Sequence, residues 1–172
     1  MDIDRKVRVA LVPGCGSLNE FAVKMRLDAM LADPDFTREK TGPDLWLTEW
    51  GYTIRESAEE QGVEVDSPIH SMEDISRYVP PDFRAPGRYE TIEKTLAVYG
   101  QTHAVIAHLN DVFSIPRTSW AMRTSSWQSP RSPKWYAALV TPSVDVNLAM
   151  AREVAARGVE IVYTGDVFAG DP

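Results

Sequence analysis

The sequence has few of the features that would tie it to an oxidising compartment or a membrane. Cys15 is its single cysteine in 172 residues, so no disulfide can form within the chain, which suits a reducing compartment. No apolar run approaches the roughly 20 residues that cross a bilayer. The first apolar run, Val7–Val12, is followed by Pro13 and Gly14 and is too short for a signal peptide. We therefore expect a cytoplasmic protein without a membrane partner.

Acidic residues are missing from one long stretch of an otherwise acidic chain. The sequence holds 25 Asp and Glu against 18 Lys and Arg, a formal net charge of -7, yet residues 112–144 contain none of the acids. The overall acidity argues against binding to an extended nucleic-acid backbone, which requires a cationic surface. The acid-free stretch predicts instead an anionic partner that is received locally.

Apolar strand patterns alternate with helical patterns along the chain. Strands are predicted at 7–12, 63–65, 103–109, 135–140 and 159–163, and helices at 18–32, 44–61, 71–79, 89–100 and 144–157. The almost continuously apolar stretch 103–109 is typical of a central parallel strand. This order predicts an α/β fold, a Rossmann-like three-layer sandwich with a mostly parallel sheet of four or five strands. The whole chain, 1–172, is predicted to form a single domain.

Small and polar residues follow several of the predicted strands, at the carboxyl ends where open parallel sheets bind ligands. The candidate ligand-binding residues at these ends are Gly14, Gly16 and Ser17, then Asn110, and then Thr141 and Ser143. In the turn Pro13–Ser17, the two glycines allow close approach of a ligand, and the following helix start attracts anions. Ser17 is the predicted N-cap, with Glu20 completing a capping box. The alternative is an ordinary tight turn, because neither GxGxxG nor GxxxxGK[ST] is present.

Three residues at these ends are candidates for catalysis. Asp111 follows the strand 103–109 and is suited to act as a general base or to bind a sugar hydroxyl, and His108 precedes the end of the same strand. Asp145 begins the predicted helix 144–157, where it equally suits the helix dipole. The alternative for His108 and Asp111 is a core histidine followed by a strand-ending turn. No metal-ligand spacing is present, although Asp111 and phosphate oxygens together suit Mg²⁺.

The basic, Trp-rich segment 112–134 is predicted to be a lid or an arm. Arg117 and Arg123 are suited to clamp a phosphate or carboxylate, and Trp120 offers a flat face for stacking. Long connections beside strand ends are often functional. Two alternatives remain: an arm exchanged between protomers of a homo-oligomer, since Trp and Arg are favoured at interfaces, and an inert loop.

These features together predict a small enzyme that hydrolyses or transfers a group on a nucleotide or another phosphorylated ring compound. Gly14, Gly16 and Ser17 would receive the phosphate, Arg117 and Arg123 would close over it, and Asp111 would act as the base. Two alternatives use the same residues without chemistry. One is a protein that binds an anionic, nucleotide-like metabolite, and the other is a homo-oligomeric interaction protein.

Overall fold

The computed structural model describes residues 15–56, 62–110 and 133–164. In chain order, its helices and strands are α1 (Leu18–Met25), β1 (Ala29–Leu31), β2 (Arg38–Lys40), β3 (Leu45–Thr48), β4 (Thr53–Arg55), β5 (Val63–Asp66), α2 (Met72–Arg77), α3 (Glu90–Tyr99), β6 (Ala104–Leu109), α4 (Pro133–Ala156) and β7 (Ile161–Thr164). The chain divides into two compact units. The first consists of Met1–Asp35, Pro86–Leu109 and Ala151–Tyr163, and the second of Phe36–Ala85, Asn110–Met150 and Thr164–Pro172. The prediction of a single domain stays a prediction.

The first unit is built on a three-stranded parallel sheet with the strand order β1-β6-β7. β1 pairs with β6 so that Ala29 lies opposite Ala104 and Leu31 lies opposite Ile106. The predictions of a central strand at 103–109 and of a strand at 159–163 are confirmed by β6 and β7. The strand predicted at 7–12 lies outside the described residues.

One face of β1 and β6 is buried, whereas β7 is exposed along its whole length. The buried face carries Met30, Val105, Ala107 and Leu109, and none of these side chains is more than 5% exposed. On the other face, Leu31 is 36% exposed, Ile161 44% and Tyr163 56%. Parallel sheets are normally covered on both faces. The open face makes the side chains at the carboxyl ends of these strands accessible.

Helix α1 confirms the predicted cap but ends earlier than predicted. The Ser17 hydroxyl accepts a hydrogen bond from the Glu20 backbone N–H at 3.1 Å, as an N-cap does. The helix was expected to span 18–32, yet Arg26 adopts a left-handed conformation with φ of 54°, and the Leu27 N–H bonds to the Ala22 carbonyl at 2.9 Å. This closing bond is that of a Schellman motif. The chain then turns into β1, which was predicted as helix.

The second unit contains a four-stranded antiparallel sheet with the order β2-β3-β4-β5. The helix predicted over 44–61 is therefore wrong in its described part, which forms the β3–β4 hairpin. Gly51 turns the chain with φ of 82°, and the Thr48 N–H bonds to the Tyr52 carbonyl at 3.0 Å. Trp50 is 5% exposed, and its ring lies 5.3 Å from that of Phe36. The predicted strand at 63–65 and helix at 71–79 are confirmed as β5 and α2.

Helix α4 replaces a predicted strand. Residues 135–140 were expected to form a strand ending at Thr141, but they belong to the 24-residue helix Pro133–Ala156. Pro142 lies inside this helix, where it has no N–H to donate to the carbonyl four residues earlier. The predicted helix over 144–157 is confirmed in its position, and Gly158 follows its end with φ of 93°. One face of α4 is buried through Ser143, Val146, Met150 and Val154.

The predicted Rossmann-like sandwich is thus wrong. The described residues form a three-stranded parallel sheet and a separate four-stranded antiparallel sheet, instead of one parallel sheet of four or five strands. The physical reason is that the described parts of 36–66 form consecutive antiparallel strands, whereas a doubly wound fold requires crossover helices between parallel strands there. In the described part of the chain, no helix is both long enough and apolar enough to cross a membrane.

Helix α3 packs on β6, and we expect this packing to contribute strongly to stability. Ile92 is 0% exposed on this helix, whereas Val98 on the same helix is 68% exposed. Replacing Ile92 by Ala should lower the free energy of unfolding by about 2–5 kcal/mol, because it removes buried methyl groups and leaves a cavity. The control Val98→Ala should change it by less than about 0.5 kcal/mol. Urea denaturation of both variants tests this difference, and equal losses would contradict the assigned burial.

Candidate functional site

The carboxyl ends of all three parallel strands contribute to one group of side chains. Asp33 lies two residues after β1, and His108 and Tyr163 each precede the last residue of their strands, β6 and β7. We call these three residues the carboxyl-end cluster. All three are exposed, so the cluster is open to a ligand.

Two contacts hold the carboxyl-end cluster together. The His108 backbone N–H donates to the Asp33 carboxylate at 3.1 Å, which ties the end of the central strand to the segment after β1. The rings of His108 and Tyr163 have their centroids 5.5 Å apart and their planes tilted by 31°. Because side chains alternate along a strand, His108 lies on the open face of the sheet with Ala104 and Ile106. Tyr163 contacts it from the neighbouring strand on that same face.

The start of α1 lies at this same end of the sheet. The side-chain amide of Asn19, in the first turn of α1, donates to the Leu31 carbonyl at 3.2 Å. Its oxygen accepts from the Leu31 N–H, also at 3.2 Å. This two-point contact places the helix start beside the last residue of β1. The predicted residues Gly16 and Ser17 therefore lie near the carboxyl end of β1. The sequence placed them at the end of the strand predicted at 7–12, which lies outside the described residues.

An internal carboxylate already occupies part of the predicted anion receptor. The Gly16 backbone N–H donates to the Glu20 carboxylate, and the Ser17 hydroxyl accepts from the Glu20 N–H. A capping box normally returns the side chain to the N–H of the cap residue itself. Here the carboxylate bonds one residue earlier. An anion that bound to the Gly16 N–H would have to replace this carboxylate.

The predicted residues Thr141, Ser143 and Asp145 do not follow a strand. They lie within α4, where Ser143 is 1% exposed and the other two are exposed. The Asn147 side-chain amide donates to the Ser143 carbonyl at 2.9 Å, one turn along the same helix. The expectation that these residues stand at a strand end is therefore wrong, because the strand that would have carried them is helical.

Of the remaining predicted site residues, the structure describes only Asn110. Asn110 directly follows β6 and is half-buried. Gly14, Asp111, Arg117, Trp120 and Arg123 lie outside the described residues, as does most of the segment 112–134. Asp33 and Tyr163 were not predicted as site residues. Asp33 would have been found by inspecting strand ends if β1 had been recognised as a strand.

Among the described residues, no group of three or more His, Cys, Asp or Glu side chains is placed to hold a metal ion. The histidines outside the carboxyl-end cluster have separate surroundings. His103 lies at the opposite end of β6, where its Nδ1 is 2.7 Å from the Thr102 hydroxyl. In the second unit, His70 Nε2 is 3.8 Å from the Asp66 carboxylate.

The His70 backbone N–H, with the Ser71 hydroxyl, lowers the pKa of the Asp74 carboxyl by stabilising its ionised form.

Comparison of the chain with protein-family models, curated proteins and solved structures finds no match. The functional proposal therefore depends on the residues of this chain alone.

Removing the Asn19 amide should detach the start of α1 from the end of β1. Replacing Asn19 by Ala removes both bonds to Leu31, and we expect the free energy of unfolding to fall by about 1–2 kcal/mol, since each hydrogen bond contributes about 0.5–1.5 kcal/mol. Val23→Ala is the control, because Val23 lies on the same helix and is 47% exposed. Urea denaturation compares the two variants. A larger loss for Val23→Ala would show that the amide bonds do not anchor the helix.

Proposed function

We propose that the chain is an enzyme that hydrolyses or transfers a group on a nucleotide or another phosphorylated ring compound, and that the carboxyl-end cluster is part of its site. The observation that supports this proposal is the meeting of Asp33, His108 and Tyr163 at the ends of three parallel strands. Strand ends of this kind are where open parallel sheets bind ligands. A titratable imidazole at such a place is suited to move a proton during group transfer.

The three side chains have complementary chemistry for such a substrate. The His108 imidazole is suited to accept a proton from an attacking water or hydroxyl and to return it to the leaving group. Tyr163 presents an exposed ring against which a planar ring can pack. The Asp33 carboxylate already accepts the His108 N–H, and therefore helps to fix the strand end from which the imidazole projects.

The phosphate would be bound by residues assigned from the sequence. Within the carboxyl-end cluster, protonated His108 is the only side chain able to carry positive charge, and the carboxylates of Asp33 and Glu20 lie at the same end of the sheet. We assign the phosphate to Arg117 and Arg123, in the acid-free stretch that follows β6 in the sequence. Because the proton transfer is assigned to His108, Asp111 is proposed as the sugar-hydroxyl ligand. Where the reaction requires a cation, the Asp111 carboxylate and phosphate oxygens would be the groups that hold Mg²⁺. The single cysteine favours a cytoplasmic location for this activity.

A pair of matched histidine variants tests the proposal. His108 lies near the carboxyl end of β6 and His103 directly precedes the first residue of that strand, so His103→Gln is a control of the same type at the opposite end. The purified protein is incubated with nucleoside mono-, di- and triphosphates and sugar phosphates, with and without Mg²⁺, and the masses of the compounds are followed by mass spectrometry. We expect at least one mass to change. His108→Gln should slow that change by about 10²- to 10⁴-fold, the contribution of a general acid or base, whereas His103→Gln should keep the wild-type rate.

Each other outcome has a definite meaning. Compounds that are retained with unchanged masses would replace the enzyme by the binding protein of the same ligand class. A full rate in His108→Gln would remove the carboxyl-end cluster from the chemistry. A panel in which no compound is altered or retained would overturn the proposal and leave the interaction protein as the interpretation of the basic segment.

A further inference from the structure

The geometry around His108 assigns a role to Tyr163 that goes beyond the proposed function and rests on it. We propose that Tyr163 is a positioning residue: its ring holds the His108 imidazole in one orientation at the carboxyl end of the sheet. The observation behind this proposal is the ring contact between the two side chains, with centroids 5.5 Å apart.

The His108 backbone is fixed, but its side chain has no comparable restraint from the strand. The backbone belongs to the central strand of the first sheet, and its N–H donates to the Asp33 carboxylate at 3.1 Å. These contacts define where the Cα–Cβ bond points. They leave two side-chain torsions, χ1 and χ2, and an exposed imidazole would populate several combinations of them.

Tyr163 supplies the missing restraint from the adjacent strand. The two rings are tilted by 31°, and the His108 side chain stays exposed beside the tyrosine. Offset aromatic pairs of this kind favour the paired arrangement by about two- to twelvefold over an unpaired one. The contact thus selects a side-chain orientation while His108 as a whole remains exposed to a substrate.

The exposure of Tyr163 agrees with this role. This residue is 56% exposed, so it contributes little to the core, and its neighbour on the same face of the strand, Ile161, is 44% exposed. A tyrosine that faces solvent on an open sheet gains little from burial. Its contact with His108 gives it a specific role that a small polar residue could not fill.

Two substitutions of Tyr163 separate the ring from the hydroxyl. Tyr163→Phe keeps the ring and should preserve the orientation of His108, whereas Tyr163→Leu keeps an apolar side chain and removes the ring. The readout is the NMR spectrum of the free protein, through the chemical shifts of the carbon-bound imidazole protons and the χ1 couplings of His108. We expect the Leu variant to lose the ring-current shift and to show averaged couplings, and the Phe variant to resemble the wild type.

His103 provides an internal control for folding. Its ring packs edge-on against Tyr99, with centroids 5.8 Å apart and planes at 85°, far along β6 from the substituted residue. Its resonances should stay unchanged in both variants. If His108 has the same shifts and couplings in the Leu variant as in the wild type, or if the Phe variant loses as much as the Leu variant, the positioning role of the Tyr163 ring is overturned.

A kinetic measurement distinguishes a failure of this inference from a failure of the proposed function. With the compound whose mass changes, Tyr163→Leu should lower kcat by about two- to twelvefold, the factor by which the ring favours one orientation. KM should rise as well, because the same ring is proposed to pack against the substrate. Tyr163→Phe should restore the wild-type kcat. A full rate in His108→Gln would refute the catalytic use of the imidazole, whereas a full kcat in Tyr163→Leu with a slow His108→Gln would refute only the positioning role.

Discussion

Burial of one face of β6 is the constraint around which the first unit is organised. Val105, Ala107 and Leu109 alternate along this strand and are almost fully buried, and α3 packs on the strand with Ile92 fully buried. Burying a Val, Leu or Ile side chain contributes roughly 1.5–3 kcal/mol to the free energy of unfolding. Since alternate residues point to opposite faces, fixing this buried set also fixes which residues point outward. His108 faces solvent because its two neighbours in sequence do not.

Polar side chains then attach the end of β1 and the segment after it to the neighbouring helices and strand. Asn19 holds Leu31, Asp33 accepts the N–H of His108, and Asp35 accepts both the N–H and the hydroxyl of Thr91 at the start of α3. One short stretch of chain is thereby bonded to α1, β6 and α3. None of these bonds requires a buried charge, which would be costly. The proposed chemistry and the stability of this region thus depend on different side chains. The His108 imidazole remains available to a substrate, while the Asp33 and Asp35 carboxylates accept hydrogen bonds that hold the chain in place.

Sequence patterns predicted the elements in which local and tertiary preferences agree. The stretch 103–109 is apolar enough to specify a buried strand, and Ser17 specifies a helix start. Predictions failed where a single residue adopted a backbone conformation, or a position in a helix, that is uncommon for that amino acid. Arg26 ends α1 in a left-handed conformation usually taken by glycine, and Pro142 lies within a helix that its sequence suggests is broken. Leu47, Trp50 and Ile54 have helical spacing, but Gly51 turns the chain into a hairpin between them. The sequence indicated His108, near the carboxyl end of β6, as a candidate site residue, but it did not reveal Asp33, because β1 has only three residues and was predicted as helix.

The outermost described strands of the two sheets differ in how they would meet another chain. β2 consists of Arg38, Glu39 and Lys40, and such charges discourage the backbone of a foreign strand from adding to an edge. β7 has the sequence Ile-Val-Tyr-Thr without a charge, and each of its residues is exposed. β1, at the other border of the same sheet, is uncharged as well. We therefore expect self-association at high protein concentration to begin at the first sheet rather than at β2. The exposed Tyr163 on the uncharged strand β7 thus comes with a greater tendency of the protein to aggregate.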